Sequence, residues 1–322
     1  MKRIILMAAM CVAALVSCSK DKEFTPDVEE FADVTFNINA ENVMNTRAIS
    51  DGTGADQLMY GVFNEAGELI IPKATKNDVS GLTSAGGYTM KISLAKGHTY
   101  QVAFWAQNSK CEAYQVSDDM KVSINYEGVN NDETRDAFFA VTEKFNVDRS
   151  SSIGVILKRP FAQVNVGAFP FDWENAIDMG VDISQSGATI SGIANELNLL
   201  DGSVSGEVAV DYSFNALPNE DLKVDVDENN VDEIYKYLSM SYILADVASS
   251  THTMSFTFAD KDGGNIITFD NGLGAVPIQR NWRTNIVGQI LTGDITFNIK
   301  IDPISWGVNG PMSGLAQSAY DL

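Results

Sequence analysis

The chain has 322 residues, 45% of them apolar, and a formal net charge of −21 from 22 basic and 43 acidic side chains. A surface so negative repels phosphate backbones and excludes nucleic acid as a partner class. The length exceeds that of one compact sandwich and suits two domains, each able to hold its core by burial alone.

The first element is an apolar run of 13 residues, Ile4 to Val16, behind Lys2 and Arg3. It falls well short of the roughly 20 residues of a membrane-spanning helix and predicts a secretory signal over residues 1–17. Leu15-Val16-Ser17-Cys18 resembles the lipobox of bacterial lipoproteins, in which the cysteine is acylated and the chain is cut just before it. The other reading is an ordinary signal that happens to contain a cysteine. The lipobox reading makes Cys18 the lipidated residue, with several acyl chains, palmitate among them, holding the protein on the outer membrane. It leaves 305 residues (322 − 17) and, with Lys2 and Arg3 gone, a charge of −23. Residues 18–30 carry too few apolar side chains to fold and form a flexible acidic linker. Ser19-Lys20-Asp21-Lys22-Glu23 resembles the tag that sends some lipoproteins to the cell surface. With Cys11 in the signal and Cys18 acylated, Cys111 has no partner for an intrachain disulfide.

Beyond the linker, period-two alternation predicts strands nearly everywhere. Val34, Phe36 and Ile38 alternate with polar residues, as do Met90, Ile92 and Leu94, then Val102, Phe104 and Ala106 after a Lys96-Gly97 turn. Val122, Ile124 and Tyr126 continue the pattern, followed by Ala162, Val164 and Val166, which read as a closing strand. Met254, Phe256 and Phe258 and the run Ile295 to Ile301 complete it. Turns are marked at Asp51-Gly52, Gly86-Gly87, Asp201-Gly202, Asp262-Gly263-Gly264 and Asn271-Gly272. One short stretch, Val231 to Leu238, is compatible with helix. The expected fold is all-β, two tandem antiparallel β-sandwich domains. The cluster Phe169-Pro170-Phe171-Asp172-Trp173 suits a packed corner between them, which sets the domains at residues 31–170 and 171–310, with a C-terminal tail at 311–322.

Motifs for catalysis are missing. His98 and His252 lie 154 residues apart, without a Gly-x-Ser-x-Gly elbow or a His-Glu-x-x-His pair, and read as surface histidines. Asp225-x-Asp227-x-Asn229 begins like a calcium loop, but Asn230 stands where the turn needs Gly and Lys236 where a bidentate Glu belongs. It reads as a solvated acidic loop, with weak calcium binding as the minor alternative. Asn271-Gly272-Leu273-Gly274 lacks the third glycine of a dinucleotide loop and reads as a turn. The aromatic residues read as core before sugar platform. No catalytic residue, metal site or cofactor is expected.

Phe138-Phe139-Ala140, Leu157-Lys158-Arg159-Pro160-Phe161-Ala162-Gln163-Val164-Asn165-Val166, Val276-Pro277-Ile278-Gln279-Arg280-Asn281-Trp282-Arg283-Thr284-Asn285-Ile286-Val287-Gly288 and Ile304-Ser305-Trp306 follow one another in an order that resembles the fimbrillin superfamily, the type V pilins. The resemblance covers residues 30 to 308. It implies transthyretin-like sandwiches, export as a lipidated precursor, and assembly with other fimbrial subunits into adhesive fimbriae. It also implies that an Arg-specific protease cuts between Arg47 and Ala48, in the loop after the first strand. On the residues alone Arg47 reads as a surface-loop arginine, the sole Arg between residues 4 and 134. A cut there would remove Val34, Phe36 and Ile38 and vacate a groove for another subunit's strand. The tail departs from the pattern: it is short, holds Pro311 and alternates poorly for a donor strand. The chain is therefore expected to be a fimbrial structural or accessory subunit. The alternative is a non-polymerising surface lipoprotein that binds a glycan or a protein.

Overall fold

A computed structural model describes residues 30–41, 54–79, 82, 87–229, 231–270 and 273–303. The signal segment, Cys18, Arg47, Ala48, Ile304-Ser305-Trp306 and the tail from 311 lie outside the described residues. Among the described residues no helix is long and apolar enough to cross a membrane.

The strands form where side chains alternate, because successive residues point to opposite faces of a sheet. β1 (Phe31–Ala40) buries every second residue. β2 (Gln57–Asn64), β3 (Leu69–Asn77), β4 (Tyr88–Ala95) and β5 (Thr99–Gln107) follow. Between β4 and β5, Gly97 takes φ +79°, a left-handed conformation that costs glycine little. Next come β6 (Tyr114–Val116), β7 (Lys121–Ile124), a 3-10 turn at Glu133–Arg135, β8 (Phe138–Val141), β9 (Phe145–Asn146) and β10 (Ser151–Leu157). A three-stranded sheet of order β10-β1-β4 faces a sheet of order β3-β2-β5-β8, to which β9 adds beside β5. Their common core holds Val34, Phe36, Ile38, Leu58, Val62, Val102 and Phe104, all fully buried.

β11 (Phe161–Ala168) and α1 (Pro170–Asp178) open the rest of the chain, followed by β12 (Ile183–Ile193), β13 (Glu196–Asn198), β14 (Val204–Ser205) and β15 (Val208–Ala216). Then come β16 (Leu222–Val224), β17 (Glu233–Leu244), β18 (Ser250–Asp260), β19 (Ile266–Phe269), β20 (Ala275–Ile278), β21 (Trp282–Gln289) and β22 (Thr296–Pro303). One sheet runs β16-β17-β11-β21-β22, another β15-β12-β18-β19 with β20 on β18, and their inner faces share a second core. The fold is an all-β sandwich.

Three local readings are corrected. Phe161 to Val166 does not close the first sandwich. β11 is the central strand of the second set, antiparallel to β17 and parallel to β21. A fully buried strand and a half-buried one share the same short apolar alternation, so the pattern could not say which sheet would take it. Val231 to Leu238 is not helical either. Its strand β17 buries Tyr235 and Leu238 against the core and gains pairing on both sides, which outweighs weak helix propensity. The helix lies instead at Pro170–Asp178, where Pro170 takes the first helical position with its missing N–H at no cost.

β6 and β7 leave the first sandwich and β7 pairs with β13, in a sheet of order β14-β13-β7-β6, so Val116, Val122 and Ile124 join the second core. The change of core falls between Leu157 and Phe161, with this crossing sheet as a clasp.

Burial holds the phenols of Tyr114, Tyr126 and Tyr237 well above their usual 10.0 or above it. The unfolded chain loses these protons first as pH rises past about 10, so stability is full below that point and falls above it. Alkaline titration should show these tyrosines ionising together with unfolding. Tyrosinate absorbance from all ten tyrosines of the still-folded chain would contradict it.

Candidate functional site: the first strand and its groove

β1 is the first described strand and also an inner one. On its core face Val34, Phe36 and Ile38 are each 0% exposed. The register sets Val34 between Ile92 and Ser151, Phe36 between Met90 and Ile153, and Ile38 between Tyr88 and Val155. The Phe36 ring meets Phe104 edge-on at 5.5 Å and Phe145 at 6.0 Å, which locks the strand onto the opposite sheet. On the solvent face Asn37 Nδ2 donates to Ser152 Oγ at 2.8 Å and Thr89 Oγ1 donates to Asn37 Oδ1 at 3.1 Å, bridging both neighbours. Lifting β1 out would therefore open an apolar trough and unpair backbone edges on β10 and β4 together. Such edges template a new strand.

The strand is fastened at its ends. Lys96 Nζ donates to Glu30 Oε2 at 2.8 Å, and this bond with the lysine charge lowers the Glu30 carboxyl below its usual range. The pair is exposed and adds little stability. At the other end Glu41 N donates to Leu157 O at 2.8 Å, and the Glu41 carboxylate accepts from Asn281 Nδ2 at 2.6 Å. Beside the trough, a cleft of about 430 Å³ opens between β8–β9 and the free edge of β10, with Phe145, Ile153 and Val155 in its wall.

The segments that carry the family resemblance converge near that second fastening. Arg159 pairs with Asp136 through Nε at 2.6 Å and Nη2 at 2.7 Å, both side chains buried, while its guanidinium lies over the Phe138 ring. Arg280 donates to the carbonyls of Ala245 and Gly202 and covers Phe139. Asn281 N donates to Phe161 O, and Arg283 Nε donates to Gln163 Oε1 at 2.8 Å. Of these contacts, Arg280 over Phe139, together with the Asn281–Glu41 bond, crosses from the second set of strands to the first near the point where β1 ends. The sequence marks the segments that hold Arg159 and Asn281 but not their partners Asp136 and Glu41, because no local pattern announces bonds across 23 and 240 positions.

Elsewhere the named candidates stay apart. His98 is exposed, and His252 is half-buried between Ser250 Oγ and the Ser191 carbonyl, at 2.8 and 3.0 Å. Asp225 accepts the backbone N–H of Asn229 as a turn, and among the described residues no cluster of three or more His, Cys, Asp or Glu could hold a metal. Cys111 is a buried free thiol whose ionisation burial pushes upward. Asn271 and Gly272 lie outside the described residues.

No protein of curated function matches the chain. Among solved structures it is similar to a candidate polysaccharide-binding protein (DUF1812) from Bacteroides thetaiotaomicron, with TM-score 0.50, 14% identity, and coverage of 85% of this chain and 98% of the other. It is also similar to an adhesin candidate from Bacteroides ovatus, with TM-score 0.46, 15% identity and coverage of 86% and 94%. A third is the C-terminally truncated fimbrial tip protein Mfa3 of Porphyromonas gingivalis, with TM-score 0.46, 11% identity and coverage of 85% and 99%. At such identity the first likeness speaks for the fold alone. Over residues 26–307, which take in β1, the trough and the junction behind it, the chain belongs to DUF6562, a family of unknown function.

Proposed function

We propose that the chain is an exported cell-surface subunit, lipidated at Cys18, that joins other fimbrial subunits by strand exchange and contributes to adhesion. The observation that carries this reading is β1, an N-terminal strand in the middle of its sheet with every inward side chain buried. An outer strand would leave one free edge when removed; this one leaves two and an apolar floor. The segment between β1 and β2 contains Arg47-Ala48, which is where an Arg-specific protease would release residues 18–47 and the lipid with them. The strand that refills the trough comes from another subunit, with the tail after Trp306 as the candidate donor.

Two experiments test the reading. Cys18→Ala should abolish incorporation of a fatty-acid analogue and release the protein from the outer-membrane fraction; continued labelling would refute lipidation. Purified protein should stay monomeric until treated with an Arg-specific protease, then give ladders that resist mild detergent, and Arg47→Ala should prevent both cleavage and ladders. A wild-type chain that is cut at Arg47 yet remains a stable monomer would replace this reading with a non-polymerising surface lipoprotein that binds a glycan or protein.

A further inference from the structure

The outer face of the β15-β12-β18-β19 sheet differs from the rest of this acidic chain. Its strands present Thr189 and Ser191 from β12, Thr253, Ser255 and Thr257 from β18, and Thr268 from β19. The register aligns them in rows across the sheet, with Asp211–Thr189–Ser255 in one row and Gly187–Thr257–Thr268 in the next. Neighbouring strands lie about 4.8 Å apart and same-face residues about 6.7 Å apart along a strand, so the hydroxyls form a shallow grid. In a chain of net charge −21, the one charged side chain within these two rows is Asp211.

One aromatic ring lies on this grid. A bulge sets Ser213 and Phe214 of β15 opposite the single residue Gly187, between the pairs Ser186↔Asn215 and Ala188↔Tyr212. Bulges re-aim side chains, and this one turns Phe214 onto the outer face. A Cβ on Gly187 would meet Phe214 Cδ1 at 3.8 Å, so the ring borders the glycine. Phe214 remains 38% exposed to solvent. Asp211 accepts from Thr189 Oγ1 at 3.3 Å beside it.

We infer that this face binds a neutral polysaccharide, with a sugar ring stacked on Phe214 and its hydroxyls bonded to Asp211, Thr189 and Thr257. A pyranose has a face of C–H groups and a rim of hydroxyls, and it therefore needs an aromatic plane next to short donors and acceptors. Phe214 and Ile266, the latter 56% exposed at the far end of β19, are large apolar side chains on this face, but they are separated by the hydroxyl rows and do not form the contiguous apolar centre of a protein interface. A polyanionic glycan is disfavoured by the chain's negative field. Phe31 and Phe171 are exposed as well, but Phe31 lies at the start of β1 and Phe171 stacks on Phe169 beside α1, away from the grid.

The inference extends the adhesive part of the proposed function and is independent of strand exchange, so it is tested on the uncut Arg47→Ala chain. Native gels containing a mannan, a β-1,3-glucan, starch or heparin are the probes. Retardation by at least one neutral glycan and none by heparin is expected. Phe214→Leu keeps Gly187 covered while removing the ring, and should weaken binding roughly tenfold, the order of one stacked ring. Thr189→Lys, on an exposed position, should block the rows without touching the core, whereas Phe171→Ala should bind like wild type. The inference is overturned if no neutral glycan retards the chain, if Phe171→Ala loses binding, or if both face variants bind unchanged while their circular dichroism matches wild type.

Discussion

Phe36→Ala is expected to unfold the first sandwich at a far lower urea concentration than wild type, with a loss of about 3–5 kcal/mol. The ring is fully buried and contacts Phe104 and Phe145 from the middle of the three-stranded sheet. The hole cannot close easily, because Met90 and Ile153 flank it from strands already paired on β1. The same argument explains why an emptied trough should capture a strand. Three inward side chains are lost together, each comparable to a single large-to-small change. The measurement is urea unfolding followed by tryptophan fluorescence, since Trp105 on β5 sits at the boundary of the two cores. A shift of less than about 1 kcal/mol would mean that β1 is loosely held, and strand exchange would then lose its driving force.

Asp172→Ala should cost on the order of 3 kcal/mol or more, although the side chain lies outside the candidate site. Its carboxylate is 0% exposed and accepts four bonds: from the backbone N–H of Ile290, Leu291 and Thr292 at 2.7, 2.8 and 2.9 Å, and from Thr292 Oγ1 at 2.7 Å. The carboxylate binds α1 to the segment that follows β21. Truncation leaves three buried amides and a hydroxyl without this acceptor, and each unsatisfied group costs about 1–3 kcal/mol. Asp172→Asn keeps the size but turns one acceptor into a donor facing N–H groups, so it should recover only part of the loss. The check is thermal unfolding of both variants beside wild type. If Asp172→Ala melts with wild type, the amides have found water, and the bonds contribute little.

What the sequence determined by itself is the class of structure. Alternation such as Val34-Thr35-Phe36-Asn37-Ile38 and the glycine turns are local signals, and each strand needs only its own residues to show which face is apolar. The tertiary structure decided the pairings. Val164 and Val166 alternate just as Val34 and Phe36 do, yet β11 became the centre of a second sheet because β17 and β21, distant in sequence, offered two edges. Tyr235 and Tyr237 were compatible with a short helix until β11 and β16 flanked them, and long-range pairing then outweighed weak local preference. The candidate site divides in the same way. Val34, Phe36 and Ile38 were legible as an inward face, but the parallel partner β10, the Glu41–Asn281 bond and the Phe214 ring beside Gly187 were not. Those depend on contacts between residues 27 to 240 positions apart, which folding brings together and no neighbouring residue announces.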